Sequence, residues 1–85
     1  MPKQIKKLTL SEITAGENAT VLSFQSGCAV NHRLISMGFT PGVKVRIIQN
    51  RFRGPLIVLV RGTRVALGRG EAVKIIVERG ADAGD

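Results

Sequence analysis

The 85-residue chain contains one cysteine and one histidine, Cys28 and His32. Their spacing of four puts both on the same side of a helix. A thiolate and an imidazole so placed are either two ligands of a transition-metal site or a nucleophile with its base. Zinc takes three or four ligands, and no second His or Cys exists to complete a set. Cys28 and His32 are therefore metal candidates only as half of a site, completed across a dimer. As a catalytic pair they lack a third group to orient the imidazole. The plain alternative is a small buried thiol near a helix start and a surface imidazole. No catalytic residue is assigned.

The cations are the other chemistry-bearing group. Thirteen Lys and Arg stand against six Asp and Glu, a formal net charge of +7. From Asn18 to Gly70 there is no acid at all, while Arg33, Lys44, Arg46, Arg51, Arg53, Arg61, Arg64 and Arg69 fall in that span. Paired-carboxylate chemistry is excluded from this stretch, and so are clustered-carboxylate magnesium or calcium sites. The charge calls for an acidic partner, a nucleic acid or an anionic surface. Arg51-Phe52-Arg53 places an aromatic ring between two guanidiniums. Such a ring stacks on a base or docks in an apolar pocket; alternatively it folds back to plug one end of the core. Trp and Tyr are absent, so the several stacking platforms of a single-strand binder are missing. Gly68-Arg69-Gly70-Glu71 lacks the spacing of a phosphate loop or a dinucleotide fingerprint and is expected only to turn the chain into the last strand. No bound nucleotide is expected, and no tightly held cofactor.

The elements that must position these residues are short. One small core is all that such a length supports. Thr9-Leu10-Ser11-Glu12 reads as a capping box opening a single helical turn, with Leu8 and Ile13 at the staple positions. Residues 19–24 read as a first strand. Residues 28–37 read as the one substantial helix, with Val30, Leu34 and Met37 on one face. Gly38 then suits a left-handed cap with Phe39 packing back on Leu34. Thr40-Pro41-Gly42-Val43 suits a type II turn. Val43, Val45 and Ile47 alternate with Lys44, Arg46 and Ile48, and Val73, Ile75 and Val77 form a last alternating strand. Between them a hairpin is expected to turn on Gly62-Thr63 as type II′. Counting outward pairs Arg61 with Arg64, Val60 with Val65 and Val58 with Leu67. Val58, Val60, Val65 and Leu67 then face the core, and Leu59, Arg61, Arg64 and Ala66 face away. The expected architecture is mainly β: a partly open barrel of about five strands with one inserted α-helix and a short N-terminal helical turn. Residues 1–79 form the domain and 80–85 a disordered tail. The single cysteine fits a reducing cytoplasm, and the longest aliphatic run, residues 56–60, is far below the ~20 residues of a spanning helix.

The order of motifs resembles a known family. Leu8-Thr-Leu-Ser-Glu-Ile, the stretch Arg33-Leu-Ile-Ser-Met-Gly-Phe-Thr-Pro-Gly42-Val, and Val65-Ala-Leu-Gly-Arg-Gly-Glu-Ala-Val-Lys-Ile-Ile-Val77 occur in the order and spacing of the ferrous-iron transport protein A (FeoA) family. The resemblance covers Leu8 to Glu78. It implies an SH3-like barrel and a small cytoplasmic protein, peripheral to the inner membrane through its partner. That partner is the cytoplasmic region of FeoB, the Fe(II) transporter. Fe(II) is the ion of the pathway and not a cofactor of this chain; family members are also associated with transition-metal binding. The expected docking residues are Arg33, Met37 and Phe39 around the helix, Arg51, Phe52 and Arg53 in the loop, and Arg61 and Arg64 as a second basic point. Either a monomer or a weak homodimer fits. The competing readings are an SH3-like nucleic-acid-binding module and a weak transition-metal binder.

Overall fold

The computed structural model describes residues 7–25, 28–51 and 54–80, and of residues 28–31 the backbone alone. Among the described residues, six strands form one antiparallel sheet in the order β1-β6-β2-β3-β4-β5. They are β1 (Lys7–Thr9), β2 (Asn18–Phe24), β3 (Lys44–Asn50), β4 (Leu56–Val60), β5 (Thr63–Leu67) and β6 (Ile75–Arg79). Two helices, α1 (Cys28–Ser36) and α2 (Arg69–Ala72), and a 3₁₀ turn (Leu10–Glu12) complete it. β1 and β5 end the sheet and do not pair with each other among the described residues.

Local chemistry explains most of these boundaries. The Thr9 amide donates to Glu12 Oε1 at 3.0 Å, starting the 3₁₀ turn, while the Thr9 hydroxyl pairs with Ser11 instead of the backbone. Leu10 and Ile13 are then fully buried. At the end of α1 the Phe39 amide donates to the Leu34 carbonyl and the Gly38 amide to that of Ile35, both at 3.0 Å. Gly38 has a φ of +105°. This is a Schellman cap, and its apolar contact is Phe39 against Leu34, both with no exposed surface. The type II turn follows, with Val43 donating to Thr40 at 3.0 Å and Gly42 at a φ of +91°.

The core lies on the inner face of the sheet. Val45 and Ile47 of β3, Leu56, Val58 and Val60 of β4, Leu67 of β5 and Ile75 and Val77 of β6 all point into it. Two β-bulges interrupt the alternation. In β2 the register shifts between Val21 and Ser23, and Phe24 comes opposite Ile75, turned toward the core. In β3 it shifts between Ile47 and Gln49, leaving Ile48 as the extra residue. Asn50 then lies opposite buried Leu56. An extra residue reverses which face the following side chains take, so the bulge turns Asn50 inward.

Four expectations change. The sheet has six strands because Lys7–Thr9 pairs with β6, Leu8 against Val77. Residues 69–72, expected only to turn the chain, form α2, started by the Gly68 amide donating to Glu71 Oε1 at 3.3 Å. Val73 follows that helix and is 42% exposed; β6 begins two residues later. The hairpin turns on Arg61-Gly62, with φ values of +51° and +79°. That is a type I′ turn, whose twist matches the flanking strands. Val60 therefore pairs with Thr63, Leu59 with Arg64 and Val58 with Val65. The slip from the expected register is two residues, so the same residues still face the core, but Arg61 and Arg64 are not opposed. At the C-terminus the Gly80 amide donates to the Asn18 carbonyl at 2.9 Å; the expected disorder of 81–85 lies outside the described residues.

Candidate docking surface

The outer face of β3, β4 and β5 carries the side chains that alternate with the core. Register places Asn18 beside Arg46, Arg46 beside Leu59, and Leu59 beside Arg64, a single row across four strands. Strands lie about 4.8 Å apart, so Arg46 and Arg64 stand roughly 10 Å apart at their backbones with Leu59 between them. Lys44 precedes Arg46 on the same face, and Ile57 and Ala66 form the neighbouring pair. Ile48, displaced by the bulge, is 38% exposed. A groove of about 290 Å³ opens beside the row, bordered by Asn18, Lys44, Arg46, Leu59 and Arg61, with Leu59 as its apolar side chain; Ala19 and Val45 lie beneath it with their side chains buried in the core.

Arg61 belongs to this face through the turn. Its Nη2 donates to Thr40 Oγ1 at 3.0 Å and its Nε to the Gly38 carbonyl at 3.4 Å. A residue in the left-handed region thus ties the hairpin tip to the cap of α1. The contact is close: a Cβ on Gly38 would lie 3.3 Å from Arg61 Cδ.

Charge pairing divides the arginines. Arg33 Nε lies 3.1 Å from Glu71 Oε2, and Arg79 Nε 3.3 Å from Glu17 Oε1. Arg69 Nη2 donates to Asn50 Oδ1 at 2.7 Å, while Asn50 Nδ2 donates to the carbonyls of Ile13 at 2.6 Å and Ser11 at 3.1 Å. Among the described residues, Lys44, Arg46, Arg61 and Arg64 form no ion pair. These four cations share one region of the molecule; Lys7, Arg51 and Lys74, which also form no ion pair among the described residues, lie outside the row.

The expected site residues separate accordingly. Arg33 is exposed but committed to Glu71 on α2, because that acid, remote in sequence, folds back beside α1. Met37 is half-buried against the core. Phe39 is withdrawn from any docking role: it is fully buried as the apolar half of the Schellman cap. Arg51 is exposed; Phe52 and Arg53 lie outside the described residues. Arg61 and Arg64 are both exposed, one in the turn and one on the sheet. His32 is exposed on α1, and Cys28 is described only by its backbone, at the start of the same helix. Among the described residues no three His, Cys, Asp or Glu side chains gather as a metal site, and no helix is long and apolar enough to cross a membrane. Lys44, Arg46 and Asn50 were not singled out by sequence. Lys44 and Arg46 had a signal, since they alternate with Val45 and Ile47. Asn50 had none, because a bulge decides its direction.

Comparison with known proteins supplies the family context. The FeoA domain model matches residues 8–79. A protein of Methanocaldococcus jannaschii, provisionally named Fe(2+) transport protein A, is 43% identical over 63 residues, covering 74% of this chain and 76% of its own. A crystal structure of an iron uptake regulatory protein (FeoA) superposes with a TM-score of 0.82 at 32% identity, covering 87% of this chain and 99% of the other. The zinc complex of Stenotrophomonas maltophilia FeoA has a TM-score of 0.74 at 36% identity, covering 82% and 88%. That protein is described as a procaryotic SH3 domain protein and a candidate ferrous iron transport activating factor.

Proposed function

The chain belongs to the FeoA family, and from that premise we propose that it is an accessory protein of ferrous-iron uptake that docks on the cytoplasmic part of the Fe(II) transporter FeoB. Its work is positioning or gating of the transporter, carried out without chemistry of its own. Fe(II) is the cargo of the pathway. The observation that carries this reading is the uncompensated basic face around Leu59, an apolar patch rimmed by charge. Patches of that kind mark interaction surfaces. Relatives named for ferrous-iron transport and its activation support the choice of partner.

The test is a titration of the purified chain with the soluble cytoplasmic region of the transporter. Saturable binding that weakens as salt rises is expected, because salt screens exposed charges. Absence of binding at low salt overturns the reading.

A further inference from the structure

We propose that the outer face of β3, β4 and β5 receives an extended acidic segment of the partner, with one apolar side chain seated at Leu59 and carboxylates on either side reaching Arg46 and Arg64. This rests on the docking reading above and specifies the face and the chemistry of what binds it.

Three observations point there together. The first is geometry: Arg46, Leu59 and Arg64 are consecutive along one row across the sheet. The second is the groove beside that row, in which Leu59 supplies the apolar side chain and Lys44, Arg46 and Arg61 the charged rim. It has room for one aliphatic side chain. The third is electrostatic contrast. Arg33 and Arg79 are neutralised by carboxylates within the chain, and Arg69 is spent on Asn50. The cations of this face have no such partner among the described residues. They repel one another weakly through water, and a pair of carboxylates placed between them removes that repulsion. Complementarity of this kind sets partner choice and approach rate. Arg61 adds a cation that does not need ordering on binding, since Thr40 and Gly38 already hold it.

The test uses the full chain and the soluble cytoplasmic region of the transporter, followed by fluorescence anisotropy. The variants are Arg46→Glu, Arg64→Glu and their double, with Arg33→Glu on α1 as the control outside the face. Arg46 and Arg64 are exposed, and circular dichroism melts check that the variants fold. The milder pair Arg46→Gln and Arg64→Gln gives the same readout if charge reversal disturbs the sheet. The expected result is at least tenfold weaker binding for each reversal, a larger loss for the double, and less than twofold change for Arg33→Glu. If the unaltered chain binds and the face variants bind equally well, the inference is overturned while the docking reading stands. If the unaltered chain does not bind, the docking reading itself fails and takes the inference with it. A single-stranded RNA oligonucleotide run in parallel separates the other class of partner. RNA bound more tightly than the transporter region, and lost in the same variants, reassigns the face and overturns the inference.

Discussion

Replacing Asn50 with alanine removes three hydrogen bonds at one point. Its amide nitrogen holds the Ile13 and Ser11 carbonyls at 2.6 and 3.1 Å, and its oxygen receives Arg69 Nη2 at 2.7 Å. A neutral hydrogen bond contributes about 1 kcal/mol net, and one to a charged donor about 1.5–3 kcal/mol. Full loss would therefore cost roughly 3.5–5 kcal/mol on those values. The site is only part-buried, so water replaces some of what is lost, and we expect about 3 kcal/mol. For a domain of this size each kcal/mol lowers Tm by about 4–8 °C, which gives a drop of roughly 12–24 °C. Arg69→Met should cost less. It removes the same guanidinium bond but also a buried Nε that has no partner among the described residues, and an unsatisfied buried donor is itself a cost. Urea unfolding of both single variants and the double measures the coupling. A loss below about 1 kcal/mol for Asn50→Ala, or no coupling to Arg69, would refute the claim that this side chain locks the N-terminal turn to the end of β3 and to α2.

Two further substitutions test the α1 cap and the hairpin tip. Arg61→Asn keeps the type I′ turn with a residue that accepts a positive φ more readily but removes the guanidinium bonds to Thr40 and Gly38; the two effects oppose, so stability should change by less than about 1 kcal/mol, while affinity for the transporter region falls, and a denaturation curve with a binding titration reads both. Gly38→Ala places a Cβ at a φ of +105° and against Arg61 Cδ; a loss of about 1–3 kcal/mol in urea unfolding is expected.

How much of this was legible in the sequence depended on the range of the interaction. The Schellman cap at Gly38-Phe39 and the turn at Pro41-Gly42 are set by residues within six positions of one another, and both form as their residue types require. The inner face of β4 and β5 was also readable, because alternation survives a two-residue slip. The register itself was not. Gly62 can be first or second in the turn, and the decision needs Arg61 at positive φ, held by Thr40 and Gly38 from another part of the chain. β1 escaped notice because three residues carry too little alternation. The basic face proposed for docking was half legible: its charges were counted, but which arginines are neutralised depends on Glu71 and Glu17 returning in space. Phe39 was given two roles that exclude each other, the apolar half of the cap and a docking side chain; the cap forms and buries the ring.

The position of β6 bears on how the protein is made. That strand lies between β1 and β2, pairing Leu8 and Val21 alike with Val77. On the ribosome, β2 through β5 can assemble by successive hairpin-like steps as they emerge. β1 has no neighbour until residues 75–79 have been synthesised, and at roughly 5–20 residues per second it waits several seconds for one. Leu8, Leu10 and Ile13 remain uncovered or loosely covered over that interval. The sheet therefore closes in a single late event, and a nascent chain stalled before Ile75 cannot complete its core.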